Sequence, residues 1–143
     1  MILRTIVVGV DGSENARHAL DWAIMLAEPV AARVVAVHAL GLLDRLDDTP
    51  VPTEAHRDQI IEEFTTNWCA ALDRAPVPDV RLARDGPPAD VILATAKEYD
   101  ADLVVVGERG IGGGPGRDLG STSRRVLEAS PKPVLIVPVA VET

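Results

Sequence analysis

Leu103-Val104-Val105-Val106-Gly107-Glu108-Arg109-Gly110-Ile111-Gly112-Gly113-Gly114-Pro115-Gly116-Arg117-Asp118-Leu119-Gly120-Ser121 runs from an unbroken aliphatic segment, through a glycine-rich loop, to the start of a helix. An aliphatic run without polar alternation is the pattern of a strand buried on both faces, and such strands belong to parallel sheets clad in helices. The loop holds six glycines besides Gly107. Ordering that much glycine costs backbone entropy, so the segment needs a reason. Glycine permits close backbone approach to a ligand and lets several N–H groups converge on an anion. Gly120-Ser121 then opens a helix whose free N–H groups and dipole favour a phosphate, with the hydroxyls of Ser121 and Ser123 on its first turn. The plainer alternative is a flexible linker ending in a helix cap.

Outward from this stretch, residues 2–10, Arg33–Ala39 and Val134–Val137 are similar aliphatic runs, while Val80-Arg81-Leu82-Ala83-Arg84 alternates and suits a sheet edge. Helical spacing fills the gaps. Ser13 caps a first helix carrying Ala16, Ala19, Leu20, Ala23, Ile24 and Ala27. A second spans residues 53–74, with Thr53 as its cap and Ile60, Ile61, Phe64, Trp68, Ala71 and Leu72 as its apolar stripe. A third starts at Gly86-Pro87-Pro88 and runs to Tyr99; a fourth runs from Ser121 through Val126, Leu127 and Ala129 until Pro131 stops it. This alternation predicts a doubly wound α/β fold with a parallel sheet. Residues 41–52 are long for a connection of this kind, either a mobile loop over a site or a variable surface insertion. At 143 residues, with no internal repeat, the chain reads as a single domain over residues 1–143.

Composition narrows the class of protein. Aromatics make up 3% of the chain, so the core must be aliphatic, and the net charge of −8 with no basic run longer than Arg124-Arg125 argues against nucleic acid as partner. A small anion is still admissible, because local N–H groups bind phosphate whatever the total charge. Cys69 is the sole cysteine, which excludes an intrachain disulfide and suits a small apolar filler. No segment reads as a signal peptide and no apolar run approaches the ~20 residues that span a bilayer, so the expectation is a cytoplasmic protein without membrane contact.

In open parallel sheets ligands bind outside the carboxyl ends of the strands, where the strand order reverses. The first strand ends Val8-Gly9-Val10-Asp11-Gly12-Ser13. Asp11 there either holds a metal ion bridging to phosphates or caps the helix together with Ser13. No Gly-Lys-[Ser/Thr] occurs, and the first strand is not followed by Gly-x-Gly-x-x-Gly, so neither the Walker loop nor the dinucleotide fingerprint is present.

The spacing Gly107-x2-Gly110-x9-Gly120-Ser121, with Arg109 and Ile111-Gly112, resembles the nucleotide-binding signature of the universal stress protein family. The resemblance extends to Ile6-Val7-Val8-Gly9-Val10-Asp11-Gly12-Ser13, to His38 at the end of the second strand, to Gly86-Pro87, and to Pro131-Lys132-Pro133-Val134-Leu135-Ile136-Val137. It implies a Rossmann-like, adenine nucleotide alpha-hydrolase-like fold: five parallel strands in the order 3-2-1-4-5 with helices on both faces. It further implies an ATP site with Mg²⁺ or Mn²⁺ and a homodimer formed through the last strand, an edge blunted only by Pro138. Carried over by position, Asp11 lies near the phosphates and their metal, Gly9 and Ala39 border adenine, and Val106 and Gly107 contact the adenosine part. Gly110, Gly120, Ser121 and Thr122 bind ribose and phosphates, while His38 packs within the fold. Two features depart from the family pattern: residues 112–116 are looser than usual, which subtracts from binding energy on ordering, and Ala39 is smaller than the branched residue common there.

The function expected on this basis is that of an ATP-binding, nucleotide-dependent stress-response regulator, read by an unknown protein partner, with at most slow ATP hydrolysis. Asp11 and Glu108 are acidic residues that follow the first and fourth strands directly, and neither has a clear orienting partner in the sequence. The alternatives are an ATPase or phosphotransferase, a cyclic AMP binder on the same fold, and a dimeric interaction module with a vestigial nucleotide site.

Overall fold

The computed structural model describes residues 2–41, 44–46, 49–51, 54–109 and 119–139. In chain order the elements are β1 (Thr5–Gly9), α1 (Glu14–Ala27), β2 (Arg33–Ala39), β3 (Asp44–Leu46), β4 (Thr49–Val51), α2 (Glu54–Glu63), a π turn (Phe64–Trp68), α3 (Ala70–Asp73), β5 (Asp79–Arg84), α4 (Pro88–Glu98), β6 (Leu103–Gly107), α5 (Ser121–Ala129) and β7 (Val134–Val137). The main sheet is parallel throughout, in the order β5-β2-β1-β6-β7. Counting its strands along the chain gives the expected 3-2-1-4-5. β5 is an edge strand, as its alternation requires.

Because successive strand residues point to opposite faces, the central strands feed two cores. Ile6 and Val8 of β1, Val34 and Ala36 of β2 and Val105 of β6 pack with Ala19, Leu20 and Ala23 of α1 and with Phe64, Cys69 and Leu72. Val7, Val35, Val37, Val104 and Val106 face the other way, against Ala89, Val91, Ile92 and Ala96 of α4 and Val126 of α5. The cores are aliphatic, as the scarcity of aromatics demands.

Three sequence expectations change in detail. The first strand begins at Thr5 because the N–H groups of Arg4 and Thr5 turn to the carboxylate of Asp102, at 2.8 and 3.1 Å, instead of to a neighbouring strand. The continuous helix expected over residues 53–74 is interrupted; Thr53, its expected cap, lies outside the described residues. The hydroxyls of Thr65 and Thr66 donate back to Ile61 O and Glu62 O, at 3.0 and 2.7 Å, which competes with the regular ladder. The turn then widens, and Cys69 N–H reaches Phe64 O at 3.1 Å. Arg81 of β5 donates to Thr65 O at 2.7 Å and pairs with Asp73 and Asp79, fastening the widened turn to the sheet edge. Finally, the stretch expected as an irregular loop at residues 41–52 contains the antiparallel pair β3–β4, and its base is closed by Gly86 N–H to Gly41 O at 3.2 Å.

Phe64 is fully buried beneath the π turn. Its replacement by alanine is expected to cost about 3–5 kcal/mol of unfolding free energy, read as a lower urea midpoint with little change in slope.

Candidate functional site

The strand order reverses between β1 and β6, and the crevice above their carboxyl ends is where the loop chemistry gathers. On the β1 side the Asp11 carboxylate holds the turn: its Oδ1 accepts from Ser13 N–H at 2.9 Å and from the Ser13 hydroxyl at 2.5 Å. Ser13 in turn caps α1 by accepting from Ala16 N–H at 3.1 Å. The cap is therefore Ser13, and Asp11 is the anion that orients it. Between them Gly12 has φ +83°, and a Cβ there would lie 2.7 Å from Trp68 Cζ2. The π turn thus presses an indole ring onto the glycine that lets the chain turn.

Trp68 also meets His38 edge-on, with ring centroids 5.0 Å apart. His38 Nδ1 lies 2.7 Å from Val10 O, so the bond requires the proton on Nδ1. Burial pushes the imidazole below the ordinary histidine range, opposed by that backbone bond and by the charge of Asp11. The histidine props the end of β1 from the neighbouring strand, in keeping with a packing role. Cys69, held in the same core, has its thiol pushed up to about 12 chiefly by burial, so it remains protonated and inert at neutral pH.

On the β6 side Glu108 is the point of closure. Its N–H donates to Val137 O at 2.9 Å, and its carbonyl accepts from Gly120 N–H at 2.7 Å and from the Ser123 hydroxyl at 2.8 Å. Its carboxylate accepts from Val139 N–H at 2.7 Å. The partner that the sequence did not reveal for Glu108 is thus backbone, and the side chain braces the exit of β7. Gly120 is the N-cap of α5 and offers no side chain to the helix's free N–H groups. Ser121 at the first position is exposed and Thr122 is half-buried. Ser123 differs from expectation: it is buried, and its hydroxyl turns inward to Glu108 O and Gly120 O instead of standing on the phosphate side.

Of the remaining expected positions, Gly9, Ala39, Val106 and Gly107 lie at the carboxyl ends of β1, β2 and β6. Gly9 is half-buried, and a Cβ there would come within 2.8 Å of Ile92 Cδ1 and displace the tip of that side chain on α4. Ala39 ends β2 beside Arg84 of β5 and is half-buried. The Val106 side chain belongs to the core, leaving only its backbone to face the crevice. Gly110 lies outside the described residues. Gly107 is explained by a residue the sequence reading missed: a Cβ there would lie 2.6 Å from Asn15 Oδ1. The signal was an asparagine four positions before Ala19, on the buried stripe of α1.

Among the described residues no group of three or more His, Cys, Asp or Glu side chains could hold a metal. Mg²⁺ that keeps its waters and leans on phosphate oxygens requires only one or two carboxylates, so the donor set at Asp11 fits that kind of ion and no tightly caged one. Among the described residues no helix is long and apolar enough to cross a membrane.

A parallel α/β sheet with this strand order, and with glycine turns and a helix N-terminus gathered at its point of reversal, defines a Rossmann-like protein. The profile of the universal stress protein family matches residues 3–138. A universal stress protein of Thermus aquaticus is 34% identical over 137 residues, covering 95% of this chain and 99% of the relative. The chain belongs to the universal stress protein family. Among solved structures, a universal stress protein in complex with cAMP has a TM-score of 0.71 at 30% identity, covering 98% of this chain and 100% of that one. The universal stress protein of Archaeoglobus fulgidus in complex with dAMP likewise has a TM-score of 0.71, at 26% identity, covering 96% of this chain and 99% of that one.

Two outcomes follow from this geometry. Gly12→Ala and Gly41→Ala both place a side chain at positive φ, but only Gly12 meets an aromatic ring; Gly41 faces open space. Gly41→Ala is expected to cost about 1 kcal/mol and Gly12→Ala about 1–3 kcal/mol more, measured by chemical denaturation. For His38, the folded state resists protonation, so the unfolded chain binds the proton first as pH falls past the ordinary value of 6.5. Its contribution to stability is complete above that value and is lost below it. Unfolding midpoints taken from about pH 7.5 to about pH 5.5 should decline less steeply in His38→Gln than in the unaltered protein.

Proposed function

We propose that this protein binds ATP with Mg²⁺ in the crevice above β1 and β6 and acts, as a single domain over residues 1–143, as a nucleotide-dependent stress-response regulator in the cytoplasm. The observation that carries the reading is the pairing of an α5 N-terminus that lacks a side-chain cap with the oriented carboxylate of Asp11 at the point of strand reversal. The first supplies N–H donors and dipole for phosphate, and the second an anion for the metal. Relatives solved with cAMP and dAMP support an adenine nucleotide as the ligand class.

In this reading Gly120, Ser121, Thr122 and Gly110 take the ribose and phosphates, and Gly9, Ala39, Val106 and Gly107 border the adenosine. Asp11 would hold Mg²⁺ or Mn²⁺, whose chemistry is to neutralise phosphate charge. Hydrolysis is at most slow, because a fast ATPase needs a base aimed at water. The Glu108 carboxylate accepts from Val139 N–H, and Asp11 accepts from Ser13. The exposed edge of β7 serves a homodimer, and a protein partner reads the nucleotide state. Cyclic AMP is the second reading, favoured by the cAMP complex of a relative 30% identical to this chain.

Calorimetric titration of nucleotide-stripped protein with ATP and Mg²⁺, with cyclic AMP, and with the Gly120→Glu variant tests the proposal. A Cβ at residue 120 would sit 3.3 Å from Arg109 Cα and Glu108 O, and the added carboxylate would repel phosphate. The expected result is roughly micromolar ATP binding that the variant loses while remaining folded. Preference for cyclic AMP would make the protein a second-messenger binder. No heat with either ligand would overturn nucleotide binding and leave the interaction module.

A further inference from the structure

Asn15 is 7% exposed and sits one residue into α1, yet neither of its side-chain bonds serves that helix. Its Nδ2 donates to Val137 O at 3.0 Å, and its Oδ1 accepts from Arg109 N–H at 2.8 Å. Val137 O also accepts from Glu108 N–H, so both lone pairs of that carbonyl are used at the exit of β6. Asn15 then takes the next N–H along the chain, that of Arg109. The carboxamide occupies the space that a Cβ at residue 107 would need, with Oδ1 2.6 Å from that position.

The geometry points to Asn15 as a positioning residue for the phosphate end of the site, an inference that rests on the nucleotide reading given above. The carboxamide fixes the direction in which the chain leaves β6, and Glu108 O fixes where it returns, through Gly120 N–H at 2.7 Å. The Gly120 backbone runs beside Arg109, since a Cβ there would come within 3.3 Å of Arg109 Cα, and its N–H is bonded to the carbonyl that precedes Arg109, so a shift of Arg109 is transmitted through that bond to the N-cap of α5. The donors of that helix are therefore aimed by a side chain from the opposite side of the crevice. A pre-aimed set of N–H groups spares the ligand the cost of ordering them, and phosphates gain from this where adenosine does not. A buried asparagine is costly to leave unpaired, so the fold retains both of its bonds.

The test uses Asn15→Leu, similar in volume and without either bond, and Asn15→Ser, too short to span both partners and safer for folding. Each is titrated with ATP and Mg²⁺ and, separately, with adenosine, and exchange of the Arg109 amide is followed in the ligand-free protein. Expected are an ATP affinity lower by about tenfold, an adenosine affinity unchanged within about twofold, and an Arg109 amide that exchanges about tenfold faster. Equal loss for both ligands, or no loss for ATP in either folded variant, would overturn the positioning role. If the unaltered protein binds neither ligand, the nucleotide reading fails by itself. The amide then decides: faster exchange in the variants upholds Asn15 as the residue that orders Arg109, and unchanged exchange overturns it.

Discussion

A strand at the centre of a parallel sheet has to bury side chains on both of its faces, and in this protein β1 and β6 carry that requirement for the whole fold. Ile6 and Val8 face α1 while Val7 faces α4, and Val105 and Val104 divide in the same way. At roughly 1.5–3 kcal/mol for each fully buried aliphatic side chain, this double burial outweighs any single polar contact in the molecule. It also forces a helical layer onto each face. With both faces covered, a ligand has to approach at the strand ends, and the carboxyl ends part where the strand order reverses, between β1 and β6.

Around that crevice the polar groups are arranged as closures between elements. Val137 O collects the Glu108 N–H and the Asn15 carboxamide, Glu108 O collects Gly120 N–H and the Ser123 hydroxyl, and Val10 O collects His38. Each bond joins a loop to an element distant in the chain. The chain leaving β1 and β6 is thereby held at its roots by partners from other elements. The π turn belongs to the same scheme. Widening the helix at Phe64–Trp68 sends Phe64 into the core and brings Trp68 against Gly12 and His38.

The chain carries a net charge of −8, yet the features at the crevice favour an anion. There is no conflict, since phosphate is recognised within a few ångströms by oriented N–H groups while total charge acts over a Debye length and is screened. The same local view bears on chemistry. The carboxylates of Asp11 and Glu108 accept hydrogen bonds that hold the protein together, and a group so engaged is better suited to shaping a site than to exchanging protons with water.

The aliphatic runs were readable as buried strands, because burial on both faces suppresses polar alternation, and their alternation with helical spacing led to the sheet class. The strand order, and the parts proposed for Asp11, Gly120 and Ser121, came from the resemblance to a family signature. Ser13 as the cap of α1 was legible from local chemistry alone. Three things were decided only by the tertiary structure. The widened turn is fastened to the sheet edge by Arg81, which reaches Thr65 O from β5. Ser123 turned inward because Glu108 O, fifteen residues earlier, competes for its hydroxyl. Asn15 acquired its part from Val137 and Arg109, which lie 122 and 94 residues away. Periodicity and capping are set between near neighbours and so are written in the chain; the partner of a buried amide is set by which distant backbone groups the fold leaves beside it, and no local pattern records that.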